Sequence, residues 1–74
     1  MAKSVLIVED EPFIIEALSF LLTREGLGVS SYSDGEGCVA FIEKNKPDLI
    51  ILDMMLPNKS GMQILEELRN KPGF

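Results

Sequence analysis

The chain has 74 residues, which is enough for one small domain and too few for two. Its 46% hydrophobic and 26% charged residues are typical of a folded protein and exclude a disordered segment. Twelve acidic residues against seven basic ones give a net charge of −5, without a cluster of Lys or Arg, which argues against direct nucleic-acid binding.

The first part of the chain predicts a strand followed by a helix. Residues 4–8 form a β-branched run without polar alternation, which is typical of a strand buried on both faces (β1). Residues 12–25 then predict a helix (α1) that begins at Pro12, a favoured first helical residue, with Asp10 or Glu11 before it. The apolar residues at helical spacing are Ala17, Leu18, Leu21 and Leu22.

A weaker strand and a second helix follow. Residues 27–32 predict an edge strand (β2), and Asp34-Gly35 is a turn and helix N-cap signal. We therefore predict a helix (α2) that ends near Asn45, although Gly35 and Gly37 in its first turn each lower the helical preference by about 1 kcal/mol. Its apolar residues are Cys38, Val39, Phe41 and Ile42.

A third strand and helix complete the pattern. Residues 49–52 are a second continuously apolar run (β3), and Asp53 follows it directly. Ser60 and Gln63 have the spacing of a capping box, which predicts a helix (α3) ending near Asn70. The apolar side of this helix consists of Met62, Ile64, Leu65 and Leu68. The segment Lys71-Pro72-Gly73 terminates it.

The alternation of strands and helices predicts the fold class. Short connections in the order βαβαβα imply parallel strands joined by right-handed crossovers. We therefore expect one α/β domain over residues 1–74, with helices on both faces of the sheet.

Carboxylates follow both apolar strands, with Glu9 and Asp10 after β1 and Asp53 after β3. If β1 and β3 are neighbours, the three side chains meet at one edge of the sheet, where ligands of open α/β sheets bind. Such a cluster repels itself unless a proton or a hard cation such as Mg²⁺ binds. The alternative is that these residues cap helices, as Asp10 could at α1, but no helix begins directly after Asp53.

Residue types and motifs that are rare or missing limit the reactions and ligands that the chain can support. The chain lacks histidine, so the usual general base and zinc ligand are missing, and Cys38 is the only cysteine, best interpreted as a small core residue. No phosphate-binding glycine loop follows β1, which argues against a nucleotide site. The apolar runs are too short to span a membrane, and we expect a cytoplasmic protein.

Four stretches of the sequence resemble the bacterial response-regulator receiver domains in their residues and in their spacing. They are Leu6-Ile7-Val8-Glu9-Asp10-Glu11-Pro12, Asp34-Gly35, Pro47-Asp48-Leu49-Ile50-Ile51-Leu52-Asp53, and Met55-Leu56-Pro57 through Gly61. The resemblance covers nearly the whole chain and implies a flavodoxin-like receiver fold with parallel strands in the order 2-1-3. It also implies a signalling domain of a two-component pathway rather than a turnover enzyme.

The resemblance assigns roles to matching positions. Asp53 is similar to the phosphoacceptor that takes a phosphoryl group from a histidine kinase or phosphotransfer protein. Asp10, Asp53 and the backbone carbonyl of Met55 resemble the direct Mg²⁺ ligands of the family, and Glu9 resembles the residue that acts through a coordinated water. Glu9 differs from the Asp often found there by one methylene.

The resemblance also implies that the sequence stops after the third of the five βα units of a receiver. We therefore expect the Thr/Ser after β4, the Lys after β5 and the output surface to be missing, and phosphotransfer to be impaired. Strand β3 would then be an open, apolar edge that recruits another strand. We expect a homo-oligomer, either a twofold dimer with antiparallel β3 pairing or a domain swap.

Helix α1 has additional apolar residues, Phe13, Ile14 and Phe20. One interpretation is additional core under neighbouring segments. The resemblance suggests another, in which Phe13 and Ile14 dock the phosphodonor partner. Two hypotheses of function follow: a phosphoacceptor module that uses Mg²⁺, and a self-associating half-domain without phosphotransfer.

Overall fold

The structure is a computed structural model that describes residues 3–71. All six predicted elements are present: β1 (Ser4–Val8), α1 (Pro12–Arg24), β2 (Gly28–Tyr32), α2 (Cys38–Asn45), β3 (Leu49–Leu52) and α3 (Gly61–Arg69). Helix α3 ends before Lys71, as predicted, and the rest of the predicted stop, Pro72 and Gly73, lies outside the described residues. Within residues 3–71, no helix has the length and apolar character needed to cross a membrane.

The three strands form one parallel sheet in the order β2-β1-β3. This order confirms the predicted 2-1-3 topology of a flavodoxin-like receiver fold. The chain moves from β1 to one side and then crosses back to the other, so right-handed crossovers put α1 and α2 on opposite faces of the sheet. Strand β1 is central, and its residues from Val5 to Val8 are buried as predicted.

The main core lies between the sheet and the face that carries α2 and α3. Leu6 and Val8 of β1 point into it, and the Cys38 side chain is fully buried there, as predicted. The other buried members of this cluster are Val39, Ile42, Ile64 and Leu68. Val5 and Ile7 point to the opposite face because side chains alternate along a strand, and α1 lies on that face.

The ends of α1 and α3 follow the sequence signals. Pro12 begins α1, and the side chain of Glu11, one of the two predicted caps, accepts a hydrogen bond from the Phe13 amide at 3.4 Å. The predicted capping box of α3 is confirmed, because Ser60 and Gln63 each accept a hydrogen bond from the other's backbone amide.

The predicted start of α2 is wrong. The N-cap is Gly37, in the left-handed region at φ 79°, and no side chain caps the helix. Asp34 instead accepts hydrogen bonds from the Glu36 amide and from the side chain of Asn58. Asp34 lies three residues before that N-cap, so its carboxylate bonds the turn and the neighbouring loop, and the first turn of the helix lies beyond it.

Two surfaces of the described chain are apolar and open. Among residues 3–71, β3 pairs with β1 alone, and the Leu49 side chain is 54% exposed. On α1, the exposed fractions are 80% for Phe13, 45% for Ile14 and 62% for Phe20. The interpretation of these three residues as additional core is therefore wrong for the described part of the chain.

Candidate metal centre

The carboxyl ends of β1 and β3 lie side by side, because Val8 is paired with Leu52 in the parallel register. Glu9 and Asp53 are the next residues, and the Asp53 amide donates to the Val8 carbonyl at 2.9 Å. One carboxylate oxygen from each of Glu9, Asp10 and Asp53 lies within 4.8 Å of the other two. The sheet therefore brings together the three carboxylates that the sequence suggested would meet.

Helix capping does not account for Asp10. Glu11 provides the side chain that caps α1, whereas Asp10 is exposed and belongs to the carboxylate cluster. Similarly, Asp53 precedes a loop of several residues, and the cap of α3 is Ser60. The capping alternative therefore fails for both aspartates.

Glu9 is held by the turn between β1 and α1. Its Oε1 accepts hydrogen bonds from the Asp10 and Glu11 amides, each at 3.2 Å. Burial raises the pKa of this carboxyl above its usual range, the two amides oppose that shift, and the neighbouring Asp53 carboxylate adds to it. Glu9 is thus oriented by the backbone in a position where a negative charge is unfavourable.

Asp53 is half-buried, and the loop after it turns back on its carboxylate. Its Oδ1 accepts a hydrogen bond from the Met55 amide at 3.2 Å. Met55 is 84% exposed, and its contact with the cluster is this backbone hydrogen bond. The sequence predicted a role for the Met55 carbonyl, and that role stays a prediction.

No lysine or arginine within residues 3–71 neutralises the cluster. The ion pairs of the described chain join Lys59 to Glu67 and Lys71 to Glu43, and neither includes a carboxylate of the cluster. Three unpaired carboxylates therefore face each other at the end of a hydrophobic sheet. Oxygen donors in such an arrangement suit a hard divalent cation, and the residues present fit Mg²⁺.

The sequence did not reveal a second loop that lies against the residues after Asp53. The Asn58 side chain donates to both carboxylate oxygens of Asp34, at 2.9 and 3.0 Å. Asp34 and Asn58 are 24 positions apart in the sequence and lie in different loops. The one distinctive feature of Asn58 is its left-handed backbone, at φ 67°. That angle cannot be read from the amino-acid sequence.

Phe13 and Ile14 lie in the first turn of α1, directly after the acidic turn. Phe13 also lines a shallow groove along the outer side of the helix with Glu16, Ala17 and Phe20. At its far end the Arg24 guanidinium lies 5.7 Å from the centroid of the Phe20 ring. An exposed apolar strip therefore begins beside the carboxylates and continues along α1.

Comparison with known proteins decides the family. The family model described as the response regulator receiver domain matches residues 5–73. The chain belongs to this family. Receiver domains are signalling domains of two-component systems, and membership agrees with the strand order and with the acidic edge of the sheet.

Individual receiver-containing proteins are similar over nearly all of this chain. The alkaline phosphatase synthesis transcriptional regulatory protein PhoP of Bacillus subtilis is 42% identical over 71 residues, covering 96% of this chain and 30% of that protein. The BeF3-activated N-terminal receiver domain of Klebsiella pneumoniae RstA superimposes with a TM-score of 0.89 at 32% identity, covering 93% of this chain and 59% of that one.

A third receiver was solved with a metal. The response regulator protein TrrA of Thermotoga maritima, in complex with Mg(2+)-BeF, has a TM-score of 0.88 and 36% identity, covering 95% of this chain. The present chain spans 61% of that chain. The present chain thus spans about three-fifths of these two solved receivers and about three-tenths of PhoP.

Proposed function

We propose that Asp53 is the phosphoacceptor of this receiver and that the carboxylates beside it hold Mg²⁺. The observation that carries the proposal is the approach of Glu9, Asp10 and Asp53 to within 4.8 Å without a cationic partner in the described chain. Family membership supports it, because the domain family functions in phosphotransfer signalling.

In this proposal the reaction takes place at a carboxylate oxygen of Asp53. That oxygen attacks the phosphorus of a phosphohistidine donor in line, the phosphorus–nitrogen bond breaks, and the imidazole nitrogen leaves with the electron pair. The product is an acyl phosphate on Asp53. The amide of Met55, bonded to Oδ1 of Asp53, holds the carboxylate in one orientation for this attack.

The metal would be held by Asp10, Asp53 and the Met55 carbonyl directly, and by Glu9 through a water. When bound, it supplies positive charge that stabilises the negative charge on the phosphoryl oxygens. Glu9 is suited to the water-mediated role because two backbone amides fix its carboxylate in the turn.

The test is phosphorylation of the 74-residue chain by acetyl phosphate with Mg²⁺, followed by intact mass measurement. We expect the mass of one added phosphoryl group, lost on treatment with hydroxylamine, which cleaves acyl phosphates. Asp53→Asn should show no addition, because an amide oxygen is a poor nucleophile.

Asp48→Asn is the matched control, since it makes the same change at the other end of β3. It should be phosphorylated like the wild-type chain. An Asp53→Asn chain that gains the phosphoryl group would contradict the assignment of Asp53. A wild-type mass that stays unchanged would favour the second hypothesis, a self-associating half-domain without phosphotransfer.

We further propose two surfaces for partners. Phe13 and Ile14 would contact a histidine kinase or phosphotransfer protein, because they are exposed and follow the carboxylates directly. The β3 edge would pair with a second copy of the chain, because it is apolar and open among the described residues.

A further inference from the structure

Two loops pack against each other behind the carboxylate cluster. One connects β2 to α2 and contains Asp34 and Gly35; the other, residues 54–60, connects Asp53 to α3. Both oxygens of Asp34 accept from the Asn58 side chain, at 3.0 and 2.9 Å. The Gly35 amide donates to the Pro57 carbonyl at 3.2 Å. Side chain and backbone therefore join the two loops at adjacent points.

The approach of these backbones depends on glycine. Gly35 is buried, and a Cβ atom added to it would overlap the carbonyl oxygen of Lys59. Any other residue at this position would move the 54–60 loop away. The contact between the loops is therefore close enough to fix the position of one relative to the other.

The 54–60 loop is also closed at its base. The Gly61 amide donates to the Met54 carbonyl at 3.1 Å, and a Cβ atom on Gly61 would overlap the carbonyl oxygen of Asp53. The loop thus leaves β3, turns through Asn58 in a left-handed conformation, and returns to its starting point. Its base is fixed at Gly61 and its tip at Asn58.

Side-chain packing provides part of this order, and within residues 54–56 it comes from one side chain. The side chains of Met54 and Met55 are 44% and 84% exposed, and Leu56 is the residue of this stretch that packs against the core. The peptide groups beside Asp53 are therefore held by hydrogen bonds together with the packing of Leu56, and the ion pair of Lys59 with Glu67 adds a contact near the end of the loop. Asp34 accepts two of the bonds that hold the tip, and it accepts a third from the Glu36 amide at 2.8 Å.

We infer that Asp34 is a positioning residue for the metal centre, which acts by holding Asn58 and with it the 54–60 loop that carries the Met55 backbone. This inference rests on the proposed function, because positioning matters only if the Asp53 loop binds metal. Partners of this kind orient ligands without touching the metal, and their loss weakens metal binding.

The test compares Asp34→Ala, Asn58→Ala and the double exchange Asp34→Asn with Asn58→Asp in the full chain. The exchange keeps one amide and one carboxylate but reverses which residue donates. Glu36→Ala is the matched control. It removes a carboxylate from the same loop, but that carboxylate accepts no hydrogen bond from Asn58. Every variant is measured at a temperature where circular dichroism shows it to be folded.

The first measurement is Mn²⁺ affinity, determined by electron paramagnetic resonance. We expect both alanine variants to bind Mn²⁺ about tenfold more weakly. The exchange should restore the wild-type affinity, and Glu36→Ala should leave it unchanged. The second measurement is amide hydrogen exchange without metal, in which the Met55 and Gly61 amides should exchange faster in the alanine variants only.

The two measurements separate the inference from the proposed function. If the wild-type chain shows no Mn²⁺ binding that depends on Asp53, the proposed metal centre is wrong, and hydrogen exchange alone decides whether Asp34 holds the loop. If Asp34→Ala matches Glu36→Ala in both measurements, or if the exchange variant fails to restore affinity while folded, the positioning role is overturned.

Discussion

Asp48 and Asp53 flank the four residues of β3 and serve different purposes at the two ends of the strand. Asp53 faces other carboxylates, whereas Asp48 accepts hydrogen bonds from the Ser4 amide at 2.7 Å and the Ser4 hydroxyl at 3.3 Å. The same residue type is thus repelled at one end and stabilised at the other. Its surroundings alone determine which effect dominates.

The Asp48 carboxylate should make stability depend on pH below its usual pKa. The Ser4 amide lowers the pKa of Asp48 from the usual 3.8, with smaller help from the Ser4 hydroxyl and the charge of Lys3. A lowered pKa means that the ionised form is favoured in the folded chain. Its contribution is therefore present above pH 3.8 and is lost as the pH falls through the folded-state pKa.

The measurement is a carbon-detected NMR titration of the Asp48 side chain, with unfolding free energies recorded over the same pH range. We expect a midpoint below 3.8 in the folded chain. Asp48→Asn should reduce the acid sensitivity of unfolding in that range. A midpoint at or above the usual value would show that the Ser4 bonds do not stabilise the charge.

Residue patterns predicted the acidic edge well and the Asp34 contact poorly. Glu9 and Asp53 were predictable because each follows a continuous apolar run, and such runs end at the same edge of a parallel sheet. Asp34 looked like a helix cap because its local context has that form. Its partner Asn58 is distant in sequence, and no local pattern encodes a tertiary hydrogen bond.

Among the elements, α3 begins with a glycine that helix propensity does not explain. Alanine at an interior helix position is favoured over glycine by about 1 kcal/mol. At Gly61, however, the added Cβ atom would overlap the Asp53 carbonyl. The steric effect should dominate, because Gly61 is buried and backbone is its neighbour.

We therefore expect Gly61→Ala to destabilise the chain by about 1–2 kcal/mol in urea denaturation. Gly28→Ala is the control, because a Cβ atom there meets only the Lys3 carbonyl oxygen, at 3.8 Å. That change should remain within about 0.5 kcal/mol of wild type. Equal stability of the two variants would contradict the steric interpretation.

Helix α1 is the element on which a protein partner would act. If Phe13 docks the phosphodonor, Phe13→Ala should slow transfer from a phosphorylated histidine phosphotransfer domain by about tenfold. Transfer from acetyl phosphate should not change, because a small donor needs no docking surface. The measurement is the rate of acyl phosphate formation with each donor.

Phe20→Ala provides the comparison, since Phe20 is exposed on the same helix, further from the carboxylates. It should leave both rates close to wild type. Equal losses with both donors in Phe13→Ala would indicate damage to the fold, and equal effects of the two substitutions would remove the special role of Phe13.

The helix boundaries show where propensity is sufficient. Pro12 and the Ser60 box predicted the starts of α1 and α3, because the residues that satisfy their first amides are local. Helix α2 has no side-chain cap, so its start depends on Gly37 adopting a left-handed backbone. Glycine permits that conformation but does not require it, and the sequence therefore predicted the start at the Asp34-Gly35 signal instead.

At the scale of the whole molecule, the described sheet has two unlike edges. Strand β2 presents Ser30 and Ser31, which are polar and exposed, whereas β3 presents Leu49 in a run without charge. Charged or polar side chains discourage pairing between exposed strands, and β3 lacks them. Self-association is therefore expected at β3 rather than at β2.

Leu49→Lys should shift the 74-residue chain toward the monomer, because a charge on the edge opposes strand pairing. Leu21→Lys is closely matched, since Leu21 is 55% exposed and Leu49 54%. Sedimentation velocity over a range of concentrations measures the effect. A monomeric wild-type chain, or equal dissociation by both substitutions, would contradict pairing through β3.

The alignment of β1 with β3 also limits which changes in length the protein can accept. Both ends of β3 are tied to β1, by the Asp48 amide to Ser4 and by the Asp53 amide to Val8. One residue inserted between these ties would turn the later side chains of β3 to the opposite face of the sheet, and Asp53 with them. An insertion in the turn between α1 and β2 would only lengthen a surface connection. The acidic site is thus defined by a count of residues within a strand, so it should tolerate an added residue in that surface turn but not one within β3.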